Sequence, residues 1–177
     1  MKYFFSLFLF VFASSVYGDS GGYYFGSGIG DWNYEETAVP DFSIKSLEGR
    51  VGYSFSKFVS VEGRLGLGVD DYSFTQAELT RSIKIENYES FYLKPQYKID
   101  NVTLYGLLGY TKAKVKYESK ISGRNRTSSD SDYSESYGVG INYSTSKSLS
   151  VNITWHNLSH TTHFELSGLA LGVDIDI

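Results

Sequence analysis

Three groups of residues in this 177-residue chain have types and spacings that could do chemistry. The first is His156, His160 and His163, with Ser159 and Glu165 among them. Histidine with a serine and a carboxylate is the inventory of nucleophilic hydrolysis, in which the ring takes the serine proton and the acid orients the ring. A triad is defined by geometry rather than spacing, and polar loop residues account for the same histidines. The second group is Glu48, Arg50, Glu62 and Arg64. If Arg50 lies opposite Glu62 on a neighbouring strand, Glu48 lies opposite Arg64. A register shifted along the strand makes the same pairs diagonal. Either way opposite charges meet, as a buried setting requires. The third is Lys112, Lys114 and Lys116, a row of ammonium groups suited to phosphate. A solvated rim is the competing reading of that row.

Other motifs are weaker. Gly26-Ser27-Gly28-Ile29-Gly30 lacks the last glycine of a dinucleotide fingerprint. Asp130 and Asp132 read as an acidic solvated loop. The sequons at Asn101, Asn125, Asn142, Asn152 and Asn157 follow from composition. No metal set or cofactor is expected, and no catalytic residue is assigned.

The elements that must hold these groups are strands. Residues 1–18 are set apart: Lys2, an apolar run from Tyr3 to Ala13 and a small-residue end at Gly18 describe a secretory signal peptide. The run is too short for a membrane-spanning helix, which needs about 20 apolar residues. Residues 19–177 then form one domain. With no cysteine, an exported chain gains nothing from disulfides. The 16 Tyr, 12 Phe and 18 Gly favour strands over helices. A net charge of −4 argues against a nucleic-acid partner.

Alternation of period two runs through the domain. Val59, Val61, Leu65, Leu67 and Val69 face one way, and Ser60, Glu62, Arg64, Gly66 and Gly68 the other. The same pattern recurs at 22–32, 42–55, 86–99, 102–117, 134–144, 149–156 and 164–177, which with 59–71 predicts eight antiparallel strands. Pro95 weakens the fourth, because proline cannot donate to a ladder. Connections alternate between long (33–41, 72–85, 118–133, 157–163) and short (56–58, 100–101, 145–148). Short turns on one side and long loops on the other are the asymmetry of a membrane barrel. A soluble lipocalin-like barrel would turn the apolar face inward. Small residues on the polar face favour the opposite, because the lumen of an eight-stranded barrel is narrow. Aromatics near strand ends suggest two interfacial girdles: Tyr53, Phe55, Tyr97 and Tyr143 at the short turns, and Trp32, Tyr72, Tyr88, Tyr110 and Trp155 at the long loops. The expected fold is all-β, an eight-stranded up-and-down transmembrane β-barrel after a signal peptide. In that barrel Glu48, Arg50, Glu62 and Arg64 form a charge network in the lumen, a plug rather than a pore.

The mature chain resembles the small outer-membrane barrels of the OmpX/Ail, opacity-protein and OmpA-domain group. The most specific pieces are 47–66 (LEGRVGYSFSKFVSVEGRLG), 94–100 (KPQYKID) and 104–110 (LYGLLGY). The resemblance implies a bacterial outer-membrane location and partners in lipid and lipopolysaccharide. It also implies recognition of the C-terminal strand by the barrel-assembly machinery. That strand departs from the group in ending on Ile177 where Phe or Trp is usual. Lys112, Lys114 and Lys116 continue an outward parity beyond the apolar band, at the height of lipopolysaccharide phosphates. The function expected is a non-enzymatic surface protein presenting loops for adhesion, host-defence resistance or envelope integrity, with a host or surface ligand at those loops. A small outer-membrane enzyme acting on lipid A, or a narrow channel, is the alternative.

Overall fold

The computed structural model describes residues 21–36, 42–76, 79–121, 124–160 and 164–177. The signal peptide assigned to 1–18 lies outside the described residues, as does His163. Among the described residues nine strands are present: β1 Gly22–Glu36, β2 Phe42–Ser56, β3 Val59–Gly68, β4 Tyr72–Gln76, β5 Leu79–Ile99, β6 Val102–Ile121, β7 Arg124–Ser144, β8 Leu149–His160 and β9 Phe164–Asp176. Their order is β3-β2-β1-β9-β8-β7-β6-β5-β4, and pairing of β3 with β5 closes the sheet on itself. All pairings are antiparallel. The result is a closed eight-stranded barrel whose third strand is broken into β3 and β4, both paired with β5.

Turn chemistry sets one end. Asp100 takes φ 53° in the two-residue turn joining Ile99 to Val102, a backbone region that Asp tolerates better than most residues. Pro95 sits opposite Val59, and the β5–β6 ladder skips from Leu93–Leu108 to Gln96–Tyr105 around it.

The parity is as the alternation predicts, with Leu65, Leu67, Leu108, Val139 and Leu171 outward and exposed. The strand limits need correction. Most of the described residues assigned to long loops at 33–41, 72–85, 118–133 and 157–163 are strand. The alternation does not stop there; its faces exchange chemistry. Tyr34, Phe42, Ile44, Ile83, Ile85, Ala113, Val115, Leu158, Phe164 and Leu166 point inward and form an apolar core. Lys45, Lys84, Lys112, Lys114 and Lys116 alternate with them. A pattern search keyed to apolar-outward residues therefore ends too early.

The girdle at the long-loop end is corrected for the same reason. Trp32 and Tyr88 are fully buried inside the barrel, and Tyr72 stacks on Phe42 at 4.2 Å. Tyr110 and Trp155 face outward and are exposed, with Phe91 and Tyr137 in the same band.

Candidate functional site

The lumen is filled by side chains that reach across it. Tyr24 on β1 lies over Gly52, where a Cβ would fall 2.1 Å from the ring. Tyr88 covers Gly66 in the same way, so glycine leaves the space into which each ring folds. The Tyr24 hydroxyl donates to Glu62 Oε2 at 2.6 Å, and Tyr88 donates to Glu48 Oε1 at 2.7 Å. The Trp32 indole donates to Ser46 at 2.7 Å.

The four charged residues singled out in the sequence all lie within this plug. β2 and β3 pair with Arg50 opposite Arg64, the diagonal register. Arg64 contacts Glu48 at 3.3 Å and Glu62 at 2.5 Å. Arg50 does not meet Glu62. It lies 3.4 Å from Asp174 and donates to Asn152 at 2.8 Å, and Asn152 donates to Asp174 at 2.8 Å. Glu62 takes Lys94 instead, at 2.8 Å, with the ammonium between the rings of Tyr24 and Tyr105. Lys94 and Asp174 share the polar parity, so strand reading placed them on the right face. Their membership depends on which strands confront each other across the lumen, for which a sequence carries no signal.

Among these groups Glu48, Glu62 and Asp174 balance Arg50, Arg64 and Lys94. Each carboxylate of the set is engaged by a cation, which offsets the cost of burying the charges. A cavity of about 350 Å³ opens at the short-turn end and stops against Tyr24, Lys94, Tyr105 and Asp174. At the other end the apolar core closes the barrel, with Phe164, Tyr34, Phe42 and Tyr72 stacked in succession at 5.5, 5.0 and 4.2 Å. Tyr34 and Tyr117 bridge that end through their hydroxyls at 3.0 Å.

The two described histidines, His156 and His160, meet different partners. His156 is buried, and its Nε2 accepts from Arg64 at 2.7 Å, because a guanidinium only donates. His160 faces out and lies 3.2 Å from Glu165. Ser159 is buried and accepts from Ser134 at 3.0 Å. Among the described residues no group of three or more His, Asp or Glu could hold a metal.

Lys112, Lys114 and Lys116 alternate with buried Thr111, Ala113 and Val115, which turns their side chains outward. Lys112 lies over the Tyr133 ring at 5.3 Å. Lys114 pairs with Glu86 and Lys116 with Glu118, both at 2.6 Å. The hydrogen bond from Lys114 holds the Glu86 carboxyl below the usual glutamate range. The hydrogen bond that Lys116 donates to Glu118 raises the Lys116 pKa. Lys84 lies directly opposite Lys116, a like-charge pair that a bare strand ladder disfavours. Lys84 escaped the sequence reading because it fell inside the loop assigned to 72–85.

Residues 4–175 match the family model described as the outer membrane protein beta-barrel domain. Among solved structures the chain is similar to Ail, the attachment invasion locus protein of Yersinia pestis. Identity is 20%, TM-score 0.67, and the match covers 88% of this chain and 99% of that one. Ail in complex with the heparin analogue sucrose octasulfate is similar at 20% identity and TM-score 0.64, covering 89% and 99%. Neisserial surface protein A is similar at 10% identity and TM-score 0.60, covering 90% and 100%. At these identities the likeness is one of fold. No curated protein matches the chain.

Proposed function

The chain belongs to the outer membrane protein beta-barrel domain family and resides in the bacterial outer membrane, and from that premise we propose that it is a non-enzymatic surface protein: a plugged barrel that presents a rigid extracellular sheet for adhesion or resistance to host defence. The observation that carries this reading is the extension of β5, β6 and β7 beyond the apolar band on a barrel whose lumen is filled. A filled lumen supports a scaffold over a channel. Dispersal of His156, Ser159 and His160 supports a binding role over hydrolysis. On this reading residues 1–18 are removed on export, and β9 with its outward Leu169, Leu171, Val173 and Ile175 engages the barrel-assembly machinery.

The outward lysines give the sheet a second role, as a contact for lipopolysaccharide phosphates. A phosphate between Lys84 and Lys116 would relieve their mutual repulsion. Ail is known in complex with a sulfated sugar, which suggests sulfated polysaccharide as a competitor at such a row. Deleting 118–133 tests the main reading. Cells carrying the shortened barrel should keep it folded in the outer membrane and lose host-cell binding and serum survival. Unchanged binding and survival would refute the proposal.

A further inference from the structure

The edge of β7 is open over the part of the strand that rises above the membrane. β7 pairs with β6 along its whole length, from Ile121–Arg124 to Val102–Tyr143. Its ladder with β8 begins only at Tyr137–Asn157. β8 stays paired with β9 beyond that point, across a register shift between Asn157 and Ser159, as far as His160–Glu165. Above Tyr137–Asn157, among the described residues, β7 side chains link β7 to β8: Ser136 donates to the Asn157 carbonyl, and Ser134 donates to the Leu158 carbonyl and to Ser159 Oγ. Residues 125–131 are exposed, and among the described residues no strand covers this edge.

Two amides of the segment are held by provisional partners. Ser131 N–H donates to the side chain of Asp130 at 2.9 Å, and Tyr133 N–H donates to that of Asp132 at 3.2 Å. Odd-numbered amides therefore look away from β6. Backbone groups presented in this way are a template for another strand.

The charges say which strand fits. By sequence parity the even positions of the segment are Arg124, Arg126, Ser128, Asp130 and Asp132, while the odd positions Asn125, Thr127, Ser129, Ser131 and Tyr133 are uncharged. Read along the edge, the even positions run positive, positive, neutral, negative, negative. That order is self-complementary under reversal. An antiparallel pair of identical edges centred on Ser128 sets Arg124 opposite Asp132 and Arg126 opposite Asp130, twice over. A parallel in-register pair would oppose like charges throughout. In the antiparallel pair, carbonyls of the other copy take the odd-numbered amides and free both aspartates for the arginines.

Membrane geometry fixes where the second copy sits. β7 descends from the sheet tip to the bilayer in every copy. Two copies in one membrane share that direction, and strands tilted by roughly 45° would cross instead of aligning. Reversal of the strand requires reversal of the membrane. We propose that the free edge of β7, Arg124–Asp132, pairs antiparallel with the same edge of a second copy anchored in a facing membrane, so that the protein joins one cell to another of its own kind.

The test uses the full mature barrel in zwitterionic phosphatidylcholine vesicles, which offer the lysine row no net negative charge. Parent vesicles should cluster. The pair Arg124→Asp with Arg126→Asp should slow clustering on the order of a hundredfold, because like charges then face each other. Asp130→Arg with Asp132→Arg should do the same. Vesicles of the two variants, mixed, should cluster again, and so should the chain carrying all four changes. With no native cysteine, Ser128→Cys places one thiol on the symmetry axis, where opposed residues lie about 4.5–5.5 Å apart, within disulfide reach. Oxidation should link proteins from vesicles of two different dye labels. The proposal is overturned if parent vesicles stay dispersed, if the charge variants cluster like the parent, if the mixture fails to recover, or if the disulfide forms only within single vesicles. Retention of folded gel mobility by each variant separates loss of pairing from loss of the barrel.

Discussion

The membrane band and the extracellular sheet use the same strands with opposite interiors. Within the band Leu65, Leu67, Val139 and Leu171 look out, and Glu48, Glu62, Arg64 and Lys94 look in. Above it Ile83, Ile85, Val115 and Leu158 look in, and the lysines of β5 and β6 look out. β2 shows the exchange along one strand, passing from buried Phe42 and Ile44 to buried Ser46, Glu48 and Arg50 with no change of parity. The pleat decides only which residues share a face. The surrounding medium decides which face is apolar, and it changes along β2 from water to lipid.

The comparison is broken most directly in the lumen. Arg64→Ala leaves Glu48 without its cation and Glu62 with Lys94 alone, at an expected cost of about 3–5 kcal/mol in urea unfolding from lipid. Changing Glu48 and Arg64 together to uncharged residues should cost less than removing Arg64 alone. Simple additivity would mean that the pair is uncoupled and that polarity inside the band is incidental.

In the upper region Leu158→Ala should cost roughly 2–4 kcal/mol by emptying space in the apolar core. Its signature is local: faster hydrogen exchange and proteolysis in β5 to β7 above the band, with the band itself protected. Uniform loss of protection would show the two regions to be one cooperative core. The outer face supplies the reverse contrast. Leu65→Arg should destabilise the barrel by about 2–4 kcal/mol in lipid, whereas Ser131→Arg should change stability by no more than about 0.5 kcal/mol. Equal effects would remove the distinction between lipid and water on which the comparison rests.

Smaller effects concern the lysine row. Changing Lys112, Lys114 and Lys116 to Ser should leave folding in detergent unchanged and weaken binding to lipopolysaccharide micelles by about tenfold or more at low salt. The difference should shrink as salt is added. Equal affinity of mutant and parent at low salt would leave only a solvated rim. Smallest is the effect of Glu86→Gln. Glu86 is held below its ordinary value, so it stays charged, and competes for Lys114, until the pH has fallen through that depressed value. The variant should bind lipopolysaccharide up to about threefold tighter than the parent at neutral pH. Acidification that protonates Glu86 in the parent should erase the difference. A gap that persisted in acid would assign the effect to something other than the Glu86 charge.

The amino-acid sequence by itself determined the periodicity, the sidedness and the class of fold. Alternation in Val59 to Val69 needs no neighbour to be read, and turn lengths recur at regular intervals. It also determined that Glu48, Arg50, Glu62 and Arg64 share a face. Only the tertiary structure decided their partners, because barrel closure brings β3 opposite β8 and sets Arg64 against His156, a contact between residues 92 positions apart. It decided likewise that Arg50 goes to Asp174, and that Trp32 and Tyr88 fill the lumen instead of lining the interface. Strand limits were lost where the medium changed, since a pattern defined by apolar-outward residues fails once water replaces lipid outside. Alternation is a local property of the chain; closure, and the identity of whatever lies on each side of the wall, are properties of the whole barrel in its membrane.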